Sequence, residues 1–222
     1  MRKCFILLLL CFLLSACVDS SYSFTKELDK HFDNIDTLAS YRINNVMDYF
    51  SYYLPKDMQE ETLDSNSVLL RFNNSHIIMN INIPNIINTK YYVDNSFYDE
   101  KLYDSNKEIA HYEGTYKDFD KNLRLYRFGL FQYDDKYMLH LMTSEMNYYG
   151  NVAYEDISDV VYHLLTIMKN TIVNHDMIIA DFSSKDVIDY HKKQINLFDK
   201  TMPESGELLS MLTDDAKIGE DE

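Results

Sequence analysis

Histidine is the residue type in this sequence with the most scope for chemistry at neutral pH, since seven histidines are spread along 222 residues. Three of them, His76, His111 and His140, lie near predicted strands and could converge on one sheet face together with Glu113. Such a group could bind a metal or transfer protons. The chain has no HxH or HExxH spacing, so isolated surface or half-buried histidines are the favoured interpretation. We therefore expect no metal site.

Other catalytic arrangements find little support. No GxSxG is present, and Ser144 and Ser183 have no nucleophile setting. The five glycines are scattered, which argues against a glycine-rich loop that cradles phosphate. The acidic pairs Glu60-Glu61 and Asp134-Asp135 could serve glycoside hydrolysis, but both are expected in turns, where solvated carboxylates are ordinary. We expect no catalytic residue and no cofactor, and an envelope hydrolase is the weakest alternative.

The strongest signal in the sequence is its first seventeen residues. Arg2 and Lys3 precede an apolar run, Phe5 to Leu14, which has the length of a signal-peptide core and is too short to span a membrane. The run ends in Leu14-Ser15-Ala16-Cys17, which resembles the lipobox of bacterial lipoproteins. That resemblance implies cleavage before Cys17, whose thiol carries a diacylglycerol, with acyl chains such as palmitate fixing the protein to a membrane.

The resemblance also implies a location. The protein is expected to be exported and lipid-anchored to the bacterial cell membrane or outer membrane, facing the periplasm or the cell surface. Cys4 and Cys11 would leave with the leader, so Cys17 would be the only cysteine of the mature chain. Disulfides, thiol catalysis and thiolate metal sites are then excluded together.

The charge of the chain limits its partners. It carries 36 acidic and 21 basic residues, a formal net charge of −15, which becomes −17 once Arg2 and Lys3 are removed. A surface of that sign repels nucleic acid and would favour a basic partner, although an acidic solvated surface without a partner is the commoner explanation. We expect no nucleic-acid binding.

Hydrophobic spacing predicts a mixed α+β domain. Residues 1–16 are the signal peptide, 17–23 a polar tether, 24–199 a single domain and 200–222 an acidic disordered tail. Helices are predicted at Phe24–Ile43, Asn151–Asn174 and Lys185–Phe198, with a broken helical region at Asn85–Asn106. Strands are predicted at Val46–Leu54, Ser67–Phe72, Ser75–Ile83, Ile109–Tyr116, Leu123–Tyr133 and Lys136–Met146, with a short edge strand at Met177–Phe182.

The order of these elements resembles the PsbP-like fold, an antiparallel sheet flanked by helices. The resemblance spans roughly residues 46–174 and depends on Tyr52-Tyr53-Leu54-Pro55-Lys56, the hairpin through Asn73-Asn74, and the helix after the meander. It implies a non-catalytic binding or assembly module. A generic α+β sandwich is the alternative.

Tyrosine-rich patches favour binding over catalysis, because tyrosine combines a large contact area with a polar tip. The candidate interface residues are Tyr49, Tyr52, Tyr53, Tyr91, Tyr92, Tyr148 and Tyr149. The sequence thus predicts an envelope lipoprotein that binds an unidentified protein partner, as an accessory or assembly factor of an envelope complex. The alternative is an immunity lipoprotein that neutralises a toxin.

Overall fold

The computed structural model describes residues 21–91 and 105–183. Four helices lie within these residues: α1 Ser21–Asp33, α2 Ile83–Tyr91, α3 Ile157–Lys169 and α4 His175–Phe182. The strands are β1 Asn45–Val46, β2 Phe50–Tyr52, β3 Gln59–Thr62, β4 Ser67–Phe72, β5 Ser75–Ile81, β6 Glu108–Lys117, β7 Leu123–Tyr133, β8 Lys136–Thr143, β9 Met146–Val152 and β10 Thr171–Val173. The predicted α+β class is confirmed.

The strands form two antiparallel sheets. The larger sheet has seven strands in the order β3-β4-β5-β9-β8-β7-β6, and the smaller has three in the order β1-β2-β10. In the smaller sheet, β10 follows α3 and returns to pair with β2, so that residues more than a hundred positions apart become neighbours. This return places the segment after α3 beside one end of the larger sheet.

The main core lies between the larger sheet and helices α1 and α3. Leu28 and Phe32 of α1 and Leu164 of α3 are buried together with Phe128 of β7. The ring of Phe32 stacks on Tyr112 with 4.2 Å between ring centroids. A second buried cluster lies on the opposite face of the same sheet and contains Leu69, Ile78, Phe131, Met138 and Tyr149. Residues of successive strand positions therefore alternate between two buried layers.

Several strands match their predictions closely. β4 and β7 have the predicted bounds, and the predicted hairpin between β4 and β5 is confirmed. Asn73 in its turn has φ 48°, the left-handed conformation that asparagine tolerates. The meander of β6, β7 and β8 is also present.

The first predicted helix ends early. α1 begins at Ser21, inside the predicted tether, and stops at Asp33, where Asn34 Nδ2 donates to Lys30 O at 2.8 Å. The main-chain N–H of Asn34 donates to the same carbonyl at 3.2 Å, so the side-chain bond adds to the last helical bond at this end. Ile35 is nevertheless buried, in a short 3₁₀ turn. The apolar residues that predicted the helix are thus buried beyond its end as well, so their spacing does not mark where the helix stops.

The predicted first strand is a hairpin of two short strands, β1 and β2. The polar strand β3 was not predicted, because all four of its residues are exposed and show no apolar alternation. Three consecutive strands lie between Leu123 and Val152 where two were predicted. The break occurs at Thr143, whose hydroxyl accepts the N–H groups of Glu145 and Met146 at 3.2 and 2.9 Å.

The prediction of the long helix Asn151–Asn174 was wrong at both ends. Asn151 lies in β9, paired with Met138, and α3 starts only after Asp156. The helix ends at Lys169, because the following residues leave it to form β10.

The prediction of an edge strand at Met177–Phe182 was also wrong, since this segment is helix α4. Its start is capped by Asn174, whose Oδ1 accepts the N–H of Met177 at 3.2 Å. The leader, the predicted helix Lys185–Phe198 and the tail from residue 200 lie outside the described residues, as does most of the predicted helical region after Tyr91.

Candidate functional site

A cleft opens where one end of the larger sheet meets β10 and the start of α4. Its volume is about 320 Å³. One wall comes from the β6–β7 connection, from Arg124 at the start of β7 and from Glu145 in the β8–β9 turn. The other wall is a continuous run of main chain through β10 and into α4. The lining residues are Asp118, Phe119, Asp120, Arg124, Glu145, Thr171, Ile172, Val173, Asn174, His175 and Asp176.

Arg124 is held by two carboxylates in this cleft. Its Nε donates to Asp118 Oδ2 at 2.8 Å, and its Nη1 lies 3.0 Å from Glu145 Oε1. Burial disfavours the charged guanidinium, but the bond to Asp118 and the charge of Glu145 outweigh this cost and raise the pKa of Arg124. Arg124 therefore remains charged, and its charge is largely compensated within the protein.

The loop before Arg124 fixes the position of Asp118. Asp118 Oδ1 accepts the N–H of Asn122 at 2.7 Å, and Lys121 between them has φ 66°. The side chain of Asp118 is only 10% exposed, so this carboxylate is set in the wall of the cleft rather than in open solvent. The loop is thus closed on itself before β7 begins.

Glu145 also approaches a histidine. Its Oε1 lies 2.8 Å from His175 Nε2, and this contact links the β8–β9 turn to the first residue of α4. Neither this approach nor the one to Arg124 has hydrogen-bond alignment, so Oε1 makes no aligned hydrogen bond within the described residues. A carboxylate and an imidazole therefore lie within contact distance of each other in one cleft.

The charge of the cleft is strongly negative. Four carboxylates line it, those of Asp118, Asp120, Glu145 and Asp176, against one guanidinium and one imidazole. Asp120 and Asp176 are exposed at its mouth. Because Arg124 is already paired, the arrangement favours a ligand that brings positive charge.

The histidines singled out from the sequence lie elsewhere. The strand register places His76, His111 and His140 on one face of the larger sheet, opposite the face that packs on α1 and α3. His111 and His140 are separated there by Gly129 on the strand between them. His111 lies 2.7 Å from Glu108 and 3.6 Å from Glu113. Within residues 21–91 and 105–183, no group of three or more potential ligands has the geometry to hold a metal ion.

The two acidic pairs lie in different settings. The expectation that Glu60-Glu61 lies in a turn was wrong, because both residues belong to strand β3. Glu60 accepts a hydrogen bond from the buried Tyr52 hydroxyl, whereas the next residue, Glu61, faces the other side of β3 and pairs with Arg71. Asp134 takes φ 55° in the turn between β7 and β8. Neither pair lines the cleft, so neither has a binding pocket around it there.

The candidate interface tyrosines divide by exposure. Tyr52 and Tyr148 are fully buried and Tyr149 is 6% exposed, so their side chains are not available to a partner. Burial raises the pKa of Tyr149 to about 12, which keeps its hydroxyl neutral. Tyr49 and Tyr53 are partly exposed in the smaller sheet, and the ring of Tyr53 stacks on Tyr41 at 4.4 Å between centroids.

The remaining candidates fall outside what the structure describes. These are the side chain of Tyr91, the residue Tyr92, and the leader residues Leu14, Ser15, Ala16 and Cys17. Among the described helices, none is long and apolar enough to cross a membrane.

Sequence reasoning missed the residues of the cleft. Asp118, Arg124, Glu145 and His175 are spread over 58 positions with no motif spacing. Pairing of β7 with β6 and β8 brings the first three together, and the return of β10 to β2 adds His175. The available signal was the acidic connection Asp118-Phe-Asp-Lys-Asn122 beside Arg124. Comparison of the chain with protein-family models, curated proteins and solved structures gives no match.

Proposed function

We propose that this protein is a lipid-anchored envelope lipoprotein that acts without catalysis, by binding a protein partner as an accessory or assembly factor of an envelope complex. The leader supports the anchor, because charge, apolar run, small residues and Cys17 follow one another in order. Attachment through Cys17 leaves the acidic α+β domain free to meet its partner beside a membrane.

The observation that carries the binding proposal is the acidic cleft. Four carboxylates surround a pocket of about 320 Å³, a size at the lower end of known ligand pockets. A lysine or arginine side chain of the partner fits both the size and the sign of the site. The overall negative charge of the chain would steer such a partner towards it.

The finer fold assignment belongs to the same proposal. The succession of β4 and β5, helix α2, the meander from β6 and helix α3 supports a PsbP-like arrangement. The predicted first strand departs from it, because that segment forms the hairpin of β1 and β2 in the smaller sheet. The additional strand β9, which completes the centre of the larger sheet, departs from the order that the resemblance rested on. A PsbP-like module would serve assembly rather than chemistry, in line with the binding role.

An immunity lipoprotein is the second candidate. The same acidic cleft favours it, because a basic toxin would meet complementary charge there. The two candidates differ in what the partner is. An accessory factor binds a resident envelope protein, whereas an immunity protein binds an incoming one and protects the cell that makes it.

A hydrolase is favoured only by the contact between Glu145 and His175. Against it, the carboxylate of Glu145 also compensates Arg124, and that of Asp118 accepts from the same guanidinium. The one hydroxyl in the lining belongs to Thr171, and it donates to Ile167 O at 2.7 Å. The polar groups are thus engaged with one another, as in a binding surface with a fixed shape.

The test is capture of the partner from membranes with a matched charge variant. The tagged, lipidated protein and its variant Asp120→Lys/Asp176→Lys are purified in mild detergent, and the proteins retained by each are compared by quantitative mass spectrometry. The proposal predicts a basic protein that is enriched with the wild type and reduced at least tenfold with the variant. If the wild type and the variant capture the partner equally well, the cleft is not the binding site.

A further inference from the structure

Strand β10 forms one edge of the smaller sheet. Its hydrogen-bonding pattern directs the main-chain N–H and C=O groups of two of its residues away from β2. The residues that flank β10 are bonded to the residues that flank β2. Tyr53 N–H donates to Asn170 O at 3.1 Å, and Asn174 N–H donates to Tyr49 O at 2.8 Å. These bonds bracket pairs in which opposed residues are not hydrogen-bonded to each other, here Thr171 with Tyr52 and Val173 with Phe50. The main-chain groups of Thr171 and Val173 therefore point away from β2.

The other side of β2 gives the same register independently. The carbonyls of Tyr52 and Phe50 accept from Asn44 N–H at 3.3 Å and Met47 N–H at 2.8 Å, so they point towards β1. Because residues alternate along a strand, neither Tyr52 nor Phe50 can bond to β10. The outward direction of the groups on Thr171 and Val173 thus follows from two sets of bonds.

The outward edge of β10 borders the acidic cleft. Every residue from Thr171 to Asp176 lines it, and Asp118, Asp120 and Glu145 stand on the opposite wall. Ile172, between the two outward-directed residues, keeps 37% of its surface exposed. Within residues 21–91 and 105–183, no strand pairs with this edge. A strand edge without a partner is a template for another strand, and this one lies beside concentrated negative charge.

We propose that the partner binds by adding an extended, lysine- or arginine-bearing segment to β10 as a fourth strand. Its main chain would bond to the N–H and C=O groups of Thr171 and Val173, and its basic side chains would face the carboxylates across the cleft. This inference rests on the proposed function, that a basic protein binds in the cleft, and adds how it binds. β10 is only three residues long, so main-chain bonds alone are few and charge must supply much of the affinity.

A second copy of the chain is a poorer occupant. Pairing β10 with β10 would bring two acidic clefts together, in a protein with a formal net charge of −15. Like charges across an interface oppose association. A basic segment from another protein has the complementary sign.

The experiment uses three labelled octapeptides and the full, lipidated protein in detergent. The first peptide alternates lysine and valine, the second is the same peptide with alternate main-chain nitrogens methylated, and the third replaces lysine with glutamate. Binding is measured by fluorescence anisotropy at low salt. We expect the first peptide to bind at least tenfold more tightly than either of the others.

Two protein variants complete the design. Val173→Pro removes an outward-directed N–H of β10 and spares the bonds to β2, so it should weaken the first peptide at least tenfold. Because the Val173 side chain packs against the main core, the control Val173→Ala measures the loss of that packing and should bind the peptide as the wild type does. Asp120→Lys/Asp176→Lys should weaken binding of the first peptide similarly.

If methylation has no effect while the charge variant still weakens binding, strand addition is overturned and the proposal that the cleft binds a basic ligand stands. If the charge variant binds normally, the cleft itself is refuted as the basic-ligand site. Failure of the first peptide to bind also overturns strand addition.

Discussion

The carboxylate of Glu145 lies 2.8 Å from the imidazole of His175, which joins the turn between β8 and β9 to the first residue of α4. The same oxygen lies 3.0 Å from Arg124 at the start of β7. Three parts of the chain that are distant in sequence therefore meet at one atom. This junction forms the back of the acidic cleft, and its contribution to stability can be measured separately from binding.

A double-mutant cycle on Glu145→Gln and His175→Gln should give a small coupling free energy. His175 is 42% exposed and the contact lacks hydrogen-bond alignment, so solvent weakens the attraction. We expect coupling below about 1 kcal/mol in urea unfolding, and its loss at 1 M salt. Coupling above about 2 kcal/mol that persists at high salt would mean that the pair stabilises the fold substantially, which would contradict the small contribution expected here.

Asp156 should be far more important for stability than its exposed neighbour. This buried carboxylate accepts from Asn73 Nδ2 at 2.8 Å and from Ser75 Oγ at 2.9 Å, and so ties the β4–β5 hairpin to the start of α3. Asp156→Ala would leave both donors without their acceptor, at a cost of about 3 kcal/mol in the free energy of unfolding. The control Glu155→Ala, an exposed site, should change it by less than about 1 kcal/mol. Similar losses in the two variants would argue against the network.

Acid should destabilise the protein partly through His140. Burial, helped by the nearby charge of Arg127, lowers the pKa of His140 from 6.5 to about 3. The folded state therefore keeps this imidazole neutral, while the unfolded chain takes up a proton below pH 6.5. Stability from this group is complete above pH 6.5 and falls by about 1.4 kcal/mol per pH unit below it, towards pH 3.

The measurement compares urea unfolding at pH 7 and pH 5. The wild type should lose about 2 kcal/mol more than His140→Gln over this interval, because glutamine does not titrate. The matched control Met142→Leu changes a buried residue that does not titrate, on the same strand and face as His140. Its unfolding free energy should depend on pH as that of the wild type does. An equally steep loss in His140→Gln would assign the acid sensitivity to other groups.

Sequence reasoning succeeded where a local signal decides the structure. The hairpin at Asn73 is specified by a residue that tolerates positive φ, and the bounds of β7 by an apolar run between two polar turns. It failed where the decision is made by distant partners. Residues 171–173 continue the apolar pattern of α3, yet they leave the helix because β2 offers them a strand to pair with.

The residues of the cleft could not be predicted for the same reason, since they are brought together by partners that are distant in the sequence. No motif near Glu145 in the sequence predicts its contacts with Arg124 and His175. The first contact requires the pairing of β7 with β8 and the turn at Thr143, and the second requires the return of β10. Isolated histidines were the favoured interpretation, although convergence of His76, His111 and His140 on one sheet face was possible. The strand register places these three histidines on one face. They do not enter the cleft, because that face is turned away from β10 and α4.

Membrane attachment should depend on one cysteine. Cys17→Ala should abolish labelling by a radioactive fatty acid and release the protein from washed membranes, because the proposed lipobox makes the Cys17 thiol the site of lipid attachment. Cys11→Ala, within the apolar run, is the matched control and should keep the label. Retained label in Cys17→Ala would refute the lipobox assignment. This result would not depend on whether the cleft binds a partner.

The most direct test of the central claim is photo-crosslinking in growing cells from position 172, on the edge strand of the cleft. A photoreactive residue replaces Ile172 in one strain and Leu125, which is exposed on the other sheet, in the control strain. A basic envelope or toxin protein should be crosslinked from position 172 alone, and the product should disappear with Asp120→Lys/Asp176→Lys. No product from position 172, or the same product from both positions, would contradict a partner-binding cleft.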